Sequence, residues 1–275
     1  MPTLREALNP FQVVIVTGAS SGIGSSFIRL IQTVKPDLLI CNLSRRPPRL
    51  NICPNSEVLL NHFACDLSRA DELNRAAEQV IALVGRVRPK GQVLLINNSG
   101  QGTFGEFPSP SVQRQVELVD LNVRAVVHLT GLLLPLLHER GGAVLNVAST
   151  LAYQPAPYAA TYAAAKAFVL HWTIALNEEL RGSGIRALVV SPGTTRTDFF
   201  TAAGLRGGGR GGLAMTPDEV AVRALAAFAA GRGQVVPGWS NALYTWLGAR
   251  LPKPLAARLA ARFLRDRRSE ASPRG

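Results

Sequence analysis

Short β-branched runs alternate with longer helical stretches along most of the chain, the pattern of βαβ units around a parallel sheet. Val13–Val16 reads as a buried strand ending in a glycine-rich turn, and Ile23–Val34 as the helix that follows. Leu38–Leu43 and Val58–Ala64 read as the next two strands. Asp66-Leu67-Ser68 is placed to cap a helix over about Arg69–Val84. Val93–Ile96 is a fourth strand, followed by a long helix over about Ser111–His138 that Pro135 should kink or tighten near its end. Ala143–Val147, a second long helix over Tyr158–Leu180, and Ile185–Val190 follow, closed by Pro192-Gly193.

Beyond that point the pattern loosens. Leu205–Gly212 (LRGGGRGG) is too rich in Gly to pack as a rigid element. Thr216-Pro217-Asp218-Glu219 has the residues of a capping box at a helix start. A short strand at Gln234–Val236 precedes two helical segments split at Pro252 and Pro254. The expectation is an α/β fold: a doubly wound, Rossmann-type parallel sheet of about seven strands with helices on both faces. A single domain over 1–275 is expected, with its core at about 11–237, a lid at about 194–215 and a C-terminal helical extension at about 238–268.

Composition narrows the class. With 47% hydrophobic and 17% charged residues, 275 residues can bury a sizeable core, which argues against disorder. Cys41, Cys53 and Cys65 are too scattered for a disulfide framework, and no Cys/His spacing suits a metal, so a reducing compartment is expected. The N-terminus lacks a signal-like apolar core, and no uninterrupted apolar run reaches the roughly 18–20 residues of a membrane span. A cytoplasmic protein is expected. The net charge of +12 comes mostly from Arg spread along the chain, with Lys only at 35, 90, 166 and 253. Without a basic cluster interleaved with aromatics, nucleic acid is not an expected partner.

Thr17-Gly18-Ala19-Ser20-Ser21-Gly22-Ile23-Gly24 joins the first strand to the first helix. Glycines at such a turn let backbone approach a pyrophosphate, and the open amides of the helix N-terminus meet its charge. Tight turns use the same residues, so it is position after the first strand that favours a dinucleotide. The second strand leads into Ser44-Arg45-Arg46 with no carboxylate. An acid there would hold an adenosine ribose and repel a 2′-phosphate; Arg45 and Arg46 can instead clamp the phosphate, which favours NADPH over NADH. Two exposed arginines in an Arg-rich chain are the plainer reading.

Tyr162 and Lys166 stand one helical turn apart on one face of a helix, with Ser149 upstream. A phenol with an ordinary pKa of about 10 is a poor acid–base near neutrality, and a neighbouring ammonium favours its ionised form. Such a tyrosine can protonate a carbonyl oxygen, or remove the alcohol proton in reverse, while Ser149 hydrogen-bonds the same oxygen. Tyr158 has no Lys four residues on, and Tyr153 fails likewise.

With these motifs in order, from Val13 to about Val236, the chain resembles the short-chain dehydrogenase/reductase family. The resemblance rests on TGASSGIG, Asp66, Asn97-Asn98-Ser99-Gly100, Asn122, Ser149, Tyr162 with Lys166, and Pro192-Gly193; Asn122, Ser149 and Tyr162 are 27 and 13 positions apart. It implies a catalytic Asn122, Ser149, Tyr162 and Lys166, with Lys166 also on the nicotinamide ribose and Asn122 in a proton relay. It further implies adenine contacts at Asp66 and Leu67, adenosine-ribose contacts at Asn98, Ser99 and Gly100, and nicotinamide and pyrophosphate contacts around Pro192, Gly193, Thr195 and Thr197. Gly18, Ser20, Ser21, Gly22, Ile23 and Gly24 would form the phosphate turn. Ser99 departs from the Ala usual at its position.

The implied activity is NADPH-dependent hydride transfer to or from a carbonyl or alcohol of an apolar small molecule, with a homodimer or homotetramer formed through the two long helices. A silent cofactor sensor of the same fold is the alternative, though it would have no need of an acid–base pair. The resemblance also places the loop after Pro192-Gly193 and the C-terminal segment along the substrate cleft; Phe199, Phe200, Leu205, Leu213 and Met215 around the glycines of that loop suit a mobile lid over an apolar ligand or a plain surface loop. Leu255, Leu259 and Phe263 form a stripe whose expected use is packing or dimerisation, ahead of membrane contact.

Overall fold

The computed structural model describes residues 3–48, 59–203 and 214–269, apart from the side chains of 263–269. The expected glycine-rich segment Leu205–Gly212, Leu213 and Cys53 lie outside the described residues. In chain order the elements are α1 (Leu4–Leu8), β1 (Phe11–Thr17), α2 (Gly22–Val34), β2 (Leu39–Ser44), β3 (Leu60–Ala64), α3 (Ala70–Val87), β4 (Gln92–Asn97), α4 (Val112–Val119), α5 (Ala125–Arg140) and β5 (Gly142–Val147). They continue as α6 (Ala160–Glu179), β6 (Ile185–Val190), α7 (Phe199–Ala202), α8 (Pro217–Ala229), β7 (Gln234–Val235), α9 (Trp239–Arg250) and α10 (Lys253–Ser269).

The seven strands form one parallel sheet in the order β3-β2-β1-β4-β5-β6-β7. β1 shows why its sequence is a continuous apolar run. Val13 and Ile15 face a core with Leu73, Val80, Leu129 and Leu133, whereas Val14 and Val16 face one with Phe27, Ile31, Leu225 and Phe228. A strand covered on both faces has no side for polar residues. The strand order reverses at β1, between β2 and β4, which opens a crevice at the carboxyl ends of the strands.

Several local expectations change. Arg69, not the 66–68 turn, is the N-cap of α3; Asp66 instead accepts hydrogen bonds from the Ser68 amide (2.9 Å) and hydroxyl (2.7 Å). The long helix after β4 is interrupted by a π-helical turn at Asp120–Arg124 and then runs through Pro135 to Arg140. Val112–Arg140 has the length and mean hydropathy to cross a bilayer, although charges at Asp120 and Arg124 interrupt it. Its α5 half is committed to the core through Leu129, Leu133 and Leu137. The capping box at Thr216 is present, with the Glu219 amide 3.2 Å from the Thr216 hydroxyl.

The expectation that the Leu255–Leu259 stripe packs on its own domain is corrected. α10 buries Ala256 and Ala260 and leaves Leu255 and Leu259 largely exposed; the Phe263 side chain lies outside the described residues. Small side chains let a helix approach its support closely, and the leucines one residue before them then point away. Pro254 does not split the segment but sits in the first turn of α10, where its missing N–H costs nothing.

Candidate active site

The carboxyl ends of the strands frame a cleft of about 1350 Å³, ample for a dinucleotide and a second ligand. At one end lies the turn from β1 into α2. Gly18 (φ +69°) and Gly22 (φ +59°) hold left-handed conformations that L side chains rarely adopt. A Cβ on Gly24 would lie 2.5 Å from Asn98 Nδ2 and 2.6 Å from the Gly18 carbonyl oxygen. Asn98 Nδ2 donates to the carbonyls of Thr17 (3.0 Å) and Gly18 (3.2 Å), and the Thr17 hydroxyl accepts from the amides of Asn98 and Ser99. The N-cap of α2, Ser21, makes no side-chain cap bond, so the first amides of that helix are left for another acceptor. These features fit an anionic diphosphate. Ser99 packs directly against Gly18, so the turn tolerates this departure from Ala.

Farther along, Arg45 and Arg46 are exposed on the cleft wall opposite Asp66, Leu67 and Arg69. Burial pushes the Asp66 carboxyl up, but the Ser68 donors and the charges of Arg45 and Arg69 outweigh it and hold the group below its usual range. Arg69 is engaged by Glu72 at 2.8 Å. Among the described residues neither Arg45 nor Arg46 has an ion-pair partner within salt-bridge distance.

At the centre, Ser149 closes β5, and its hydroxyl accepts from the Leu151 amide at 3.2 Å. Tyr162 on α6 lines the same stretch of the cleft, near enough to Ser149 for that side chain to favour the ionised phenol, and Lys166 lies one turn on with its Nζ 6.0 Å from the tyrosine ring centroid. Lys166 Nζ donates to the Val147 carbonyl at 2.8 Å. Asn122 is fully buried within the π-helical turn: its Nδ2 donates to the Gln101 carbonyl (2.7 Å) and its Oδ1 accepts from the Gln101 amide (3.2 Å). Such turns widen a helix by one residue and recur at functional sites. A Cβ on Gly100 would lie 2.7 Å from Asn122 Oδ1 and 3.2 Å from Lys166 Nζ, so glycine lets these groups converge.

Burial acts on both members of the Tyr162–Lys166 pair. It pushes the phenol up to about 12, against the opposing effect of Ser149, and pulls the Lys166 ammonium down to about 8. Exclusion of water penalises both charges, and the ammonium is directed at a backbone carbonyl. Tyr162 therefore holds its proton at neutral pH, the state needed to donate one.

Tyr153 is turned away from the cleft, its hydroxyl accepting from Gln234 at 2.6 Å. Tyr158, at φ +65°, also lies outside the lining. Of the residues singled out from sequence, only Gly24 and Asn122 do not line the cleft, and both stand directly behind it. Pro192 and Gly193 join the site through the Thr150 amide, 2.9 Å from the Pro192 carbonyl. Thr195 is buried, and Thr197 abuts Gly22.

At the far end the loop after Pro192-Gly193 and the C-terminal segment both line the cleft, through Phe199 and Phe200 and through α9, whereas Phe104 comes from a segment that carried no such expectation. Phe199 and Phe104 pack on Tyr162, with ring centroids 5.4 Å and 6.3 Å from it, and Phe200 packs on both of those rings. Ser240, Asn241 and Tyr244 of α9, and Gln113, Arg114 and Glu117 of α4, complete the wall. Asn241 fits only because Gly193 lacks a Cβ, which would sit 2.3 Å from Asn241 Oδ1. That pair of small and polar residues, 48 positions apart in sequence, carries no local signal.

The profile of the short chain dehydrogenase family matches residues 12–205. The chain is 30% identical over 187 residues to the ketoacyl reductase HetN of Nostoc sp., a match covering 66% of this chain and 63% of that protein. It is 29% identical over 189 residues to a serine 3-dehydrogenase of Agrobacterium fabrum, covering 68% and 73%. Among solved structures, a short-chain dehydrogenase from Sphingobium yanoikuyae in complex with NADPH superposes with a TM-score of 0.73 at 29% identity, covering 87% of this chain and 94% of that one.

Proposed function

The chain belongs to the short-chain dehydrogenase family, and we propose that it is an NADPH-dependent reductase of the carbonyl group of a small apolar molecule, working in reverse as an alcohol dehydrogenase. The carrying observation is the convergence of buried Ser149, Tyr162 and Lys166, the last two one helical turn apart, in the same cleft as the open α2 N-terminus. A bound reduced nicotinamide supplies the hydride. Tyr162, protonated at neutral pH, donates the proton to the substrate oxygen, and Ser149 orients that oxygen. Lys166 and Asn122, anchored to Val147 and Gln101, hold the cofactor ribose and lead the replacement proton inward.

Gly18, Ser20–Gly24, Asn98–Gly100, Thr195 and Thr197 hold the diphosphate and adjoining riboses, and Asp66 and Leu67 flank the adenine. Arg45 and Arg46 favour the 2′-phosphate because they are exposed cations on the cleft wall at the end of β2. The NADPH-bound Sphingobium relative agrees with this choice. The two named relatives act on unlike substrates, so substrate class is read from the cleft itself: Phe104, Phe199 and Phe200 beside Tyr162 suit an apolar carbonyl. An intact acid and its serine disfavour a silent sensor.

Exposed Val112, Val116 and Val119, at helical spacing on α4, with Phe168 on α6, suit a homo-oligomer. Buried, unpaired Cys41 and Cys65, with thiols pushed up to about 12 and about 11, suit the reducing cytoplasm.

A screen of ketones and aldehydes following NADPH oxidation tests the reading. Tyr162→Phe should lower kcat by about 10²–10⁴-fold with NADPH binding nearly unchanged; undiminished turnover would remove the proposed acid. Arg45→Ala should weaken NADPH about tenfold and leave NADH nearly unaffected. An equal loss for both would refute the phosphate clamp.

A further inference from the structure

α9 has two faces with different duties. Ser240, Asn241 and Tyr244 line the cleft, while Thr245 and Gly248 are buried; Gly248 lies so close to Gln154 that a Cβ would meet its Oε1 at 2.2 Å. On the other side Trp239, Leu243, Trp246 and Leu247, at i, i+4, i+7 and i+8, are 80%, 50%, 52% and 48% exposed. On α10, which follows after Leu251 and Pro252, Leu255 and Leu259 are likewise exposed. Scattered exposed leucines are ordinary, but two tryptophans and four leucines on one helix pair mark an interaction surface.

The cations around it are as one-sided. Arg250 stacks on Trp246, its guanidinium 4.2 Å from the ring centroid, and Lys253 donates only to the carbonyls of Tyr153 and Ala249, at 3.4 Å each. Arg258 and Arg262 follow on exposed positions of α10. No Asp or Glu occurs between Glu219 and Asp266. Among the described residues Arg250, Lys253 and Arg258 form no ion pair with a carboxylate.

We infer that the α9–α10 face docks on an anionic lipid bilayer, with its Trp and Leu side chains in the headgroup–acyl boundary and its cations on lipid phosphates. Tryptophan and arginine are the side chains that favour that boundary, since each has an apolar body and a polar end. A second copy of the chain is the weaker occupant. An isologous contact would bring the same cations face to face with no carboxylate to meet them, whereas an anionic bilayer supplies counter-charge across the whole surface.

The test is co-sedimentation of the full chain with vesicles of equimolar phosphatidylglycerol and phosphatidylcholine, against vesicles of phosphatidylcholine alone. Binding is expected to the anionic vesicles only, reversed by salt, with a blue shift of tryptophan emission. Each cation removed, in Arg250→Gln and Arg258→Gln, should weaken binding about fivefold. Trp239→Ser combined with Leu243→Ser should remove the emission shift and most of the binding while the melting temperature stays within a few degrees, neither side chain being buried. Absence of binding to the anionic vesicles by the wild-type chain would overturn the inference. So would a dimeric mass in solution that the same double variant converts to monomer. None of these readouts depends on the reductase reading.

Discussion

At the phosphate turn the cleft wall is backbone: Gly18 and Gly22 in left-handed conformations, Gly24 pressed against the Gly18 carbonyl, and Asn98 tied to two carbonyls. Around Tyr162 the wall is side chain, with three phenylalanines and a helix delivered from residues 239–250. The contrast is one of tolerance. A wall of close-packed main chain admits no extra methyl group, because neither neighbour can rotate away. A wall of rings can change its shape by substitution while the sheet beneath stays as it is. One end thus suits a constant ligand and the other a ligand that differs between relatives, as the ketoacyl and serine substrates of two of them illustrate.

The sharpest way to break this comparison is Gly24→Ala. The added Cβ would meet Asn98 Nδ2 at 2.5 Å and the Gly18 oxygen at 2.6 Å, and neither can yield without losing hydrogen bonds. We expect about 1–3 kcal/mol of lost stability, from overpacking, and more than a tenfold loss of NADPH affinity. Thermal melting with and without NADPH measures both, and an unchanged ligand-induced shift would show the turn to be more pliant than its geometry implies.

Phe199→Ala should act at the other end only. Its ring packs on Tyr162 at 5.4 Å and partly fills the space above Gly102, where a Cβ would lie 2.8 Å from Phe199 Cζ. We expect KM for an apolar ketone to rise about tenfold, the scale of one lost aromatic contact, with the Kd of NADPH unmoved. If titration calorimetry found both ligands weakened alike, the two ends would not be independent.

The smallest effect concerns the charge between them. Lys166 is held down at about 8 by burial, and Tyr162 is held up at about 12, so only the lysine titrates near neutrality. Its ammonium is present below pH 8 and is lost as pH rises through that value. If that charge holds the ribose, kcat/KM for NADPH should fall about fourfold from pH 7 to pH 8.5. A flat stopped-flow profile over this range would assign Lys166 a purely structural role.

Much of this molecule was legible because its signals are local. A strand buried on both faces must be apolar throughout, as Val13–Val16 is; a left-handed turn selects glycine, as at 18 and 22; and one helical turn of spacing puts Tyr162 and Lys166 on one face. The π-helical turn at Asn122 and the choice of Ala256 and Ala260 over Leu255 and Leu259 as the buried stripe of α10 left no such trace. Both depend on what lies opposite.

By itself, then, the chain determined its strands, its phosphate turn and the candidates for its chemistry, since each follows from backbone conformation and side-chain periodicity within a few residues. Only the tertiary structure decided how burial acts on the acid–base groups and which residues of the expected loop and C-terminal segment, joined by Phe104, wall the substrate end. Burial is a property of the whole assembly: it raised Tyr162 and lowered Lys166, and close packing of Gly248 on Gln154 set α9, nearly eighty residues downstream of Tyr162, along the cleft.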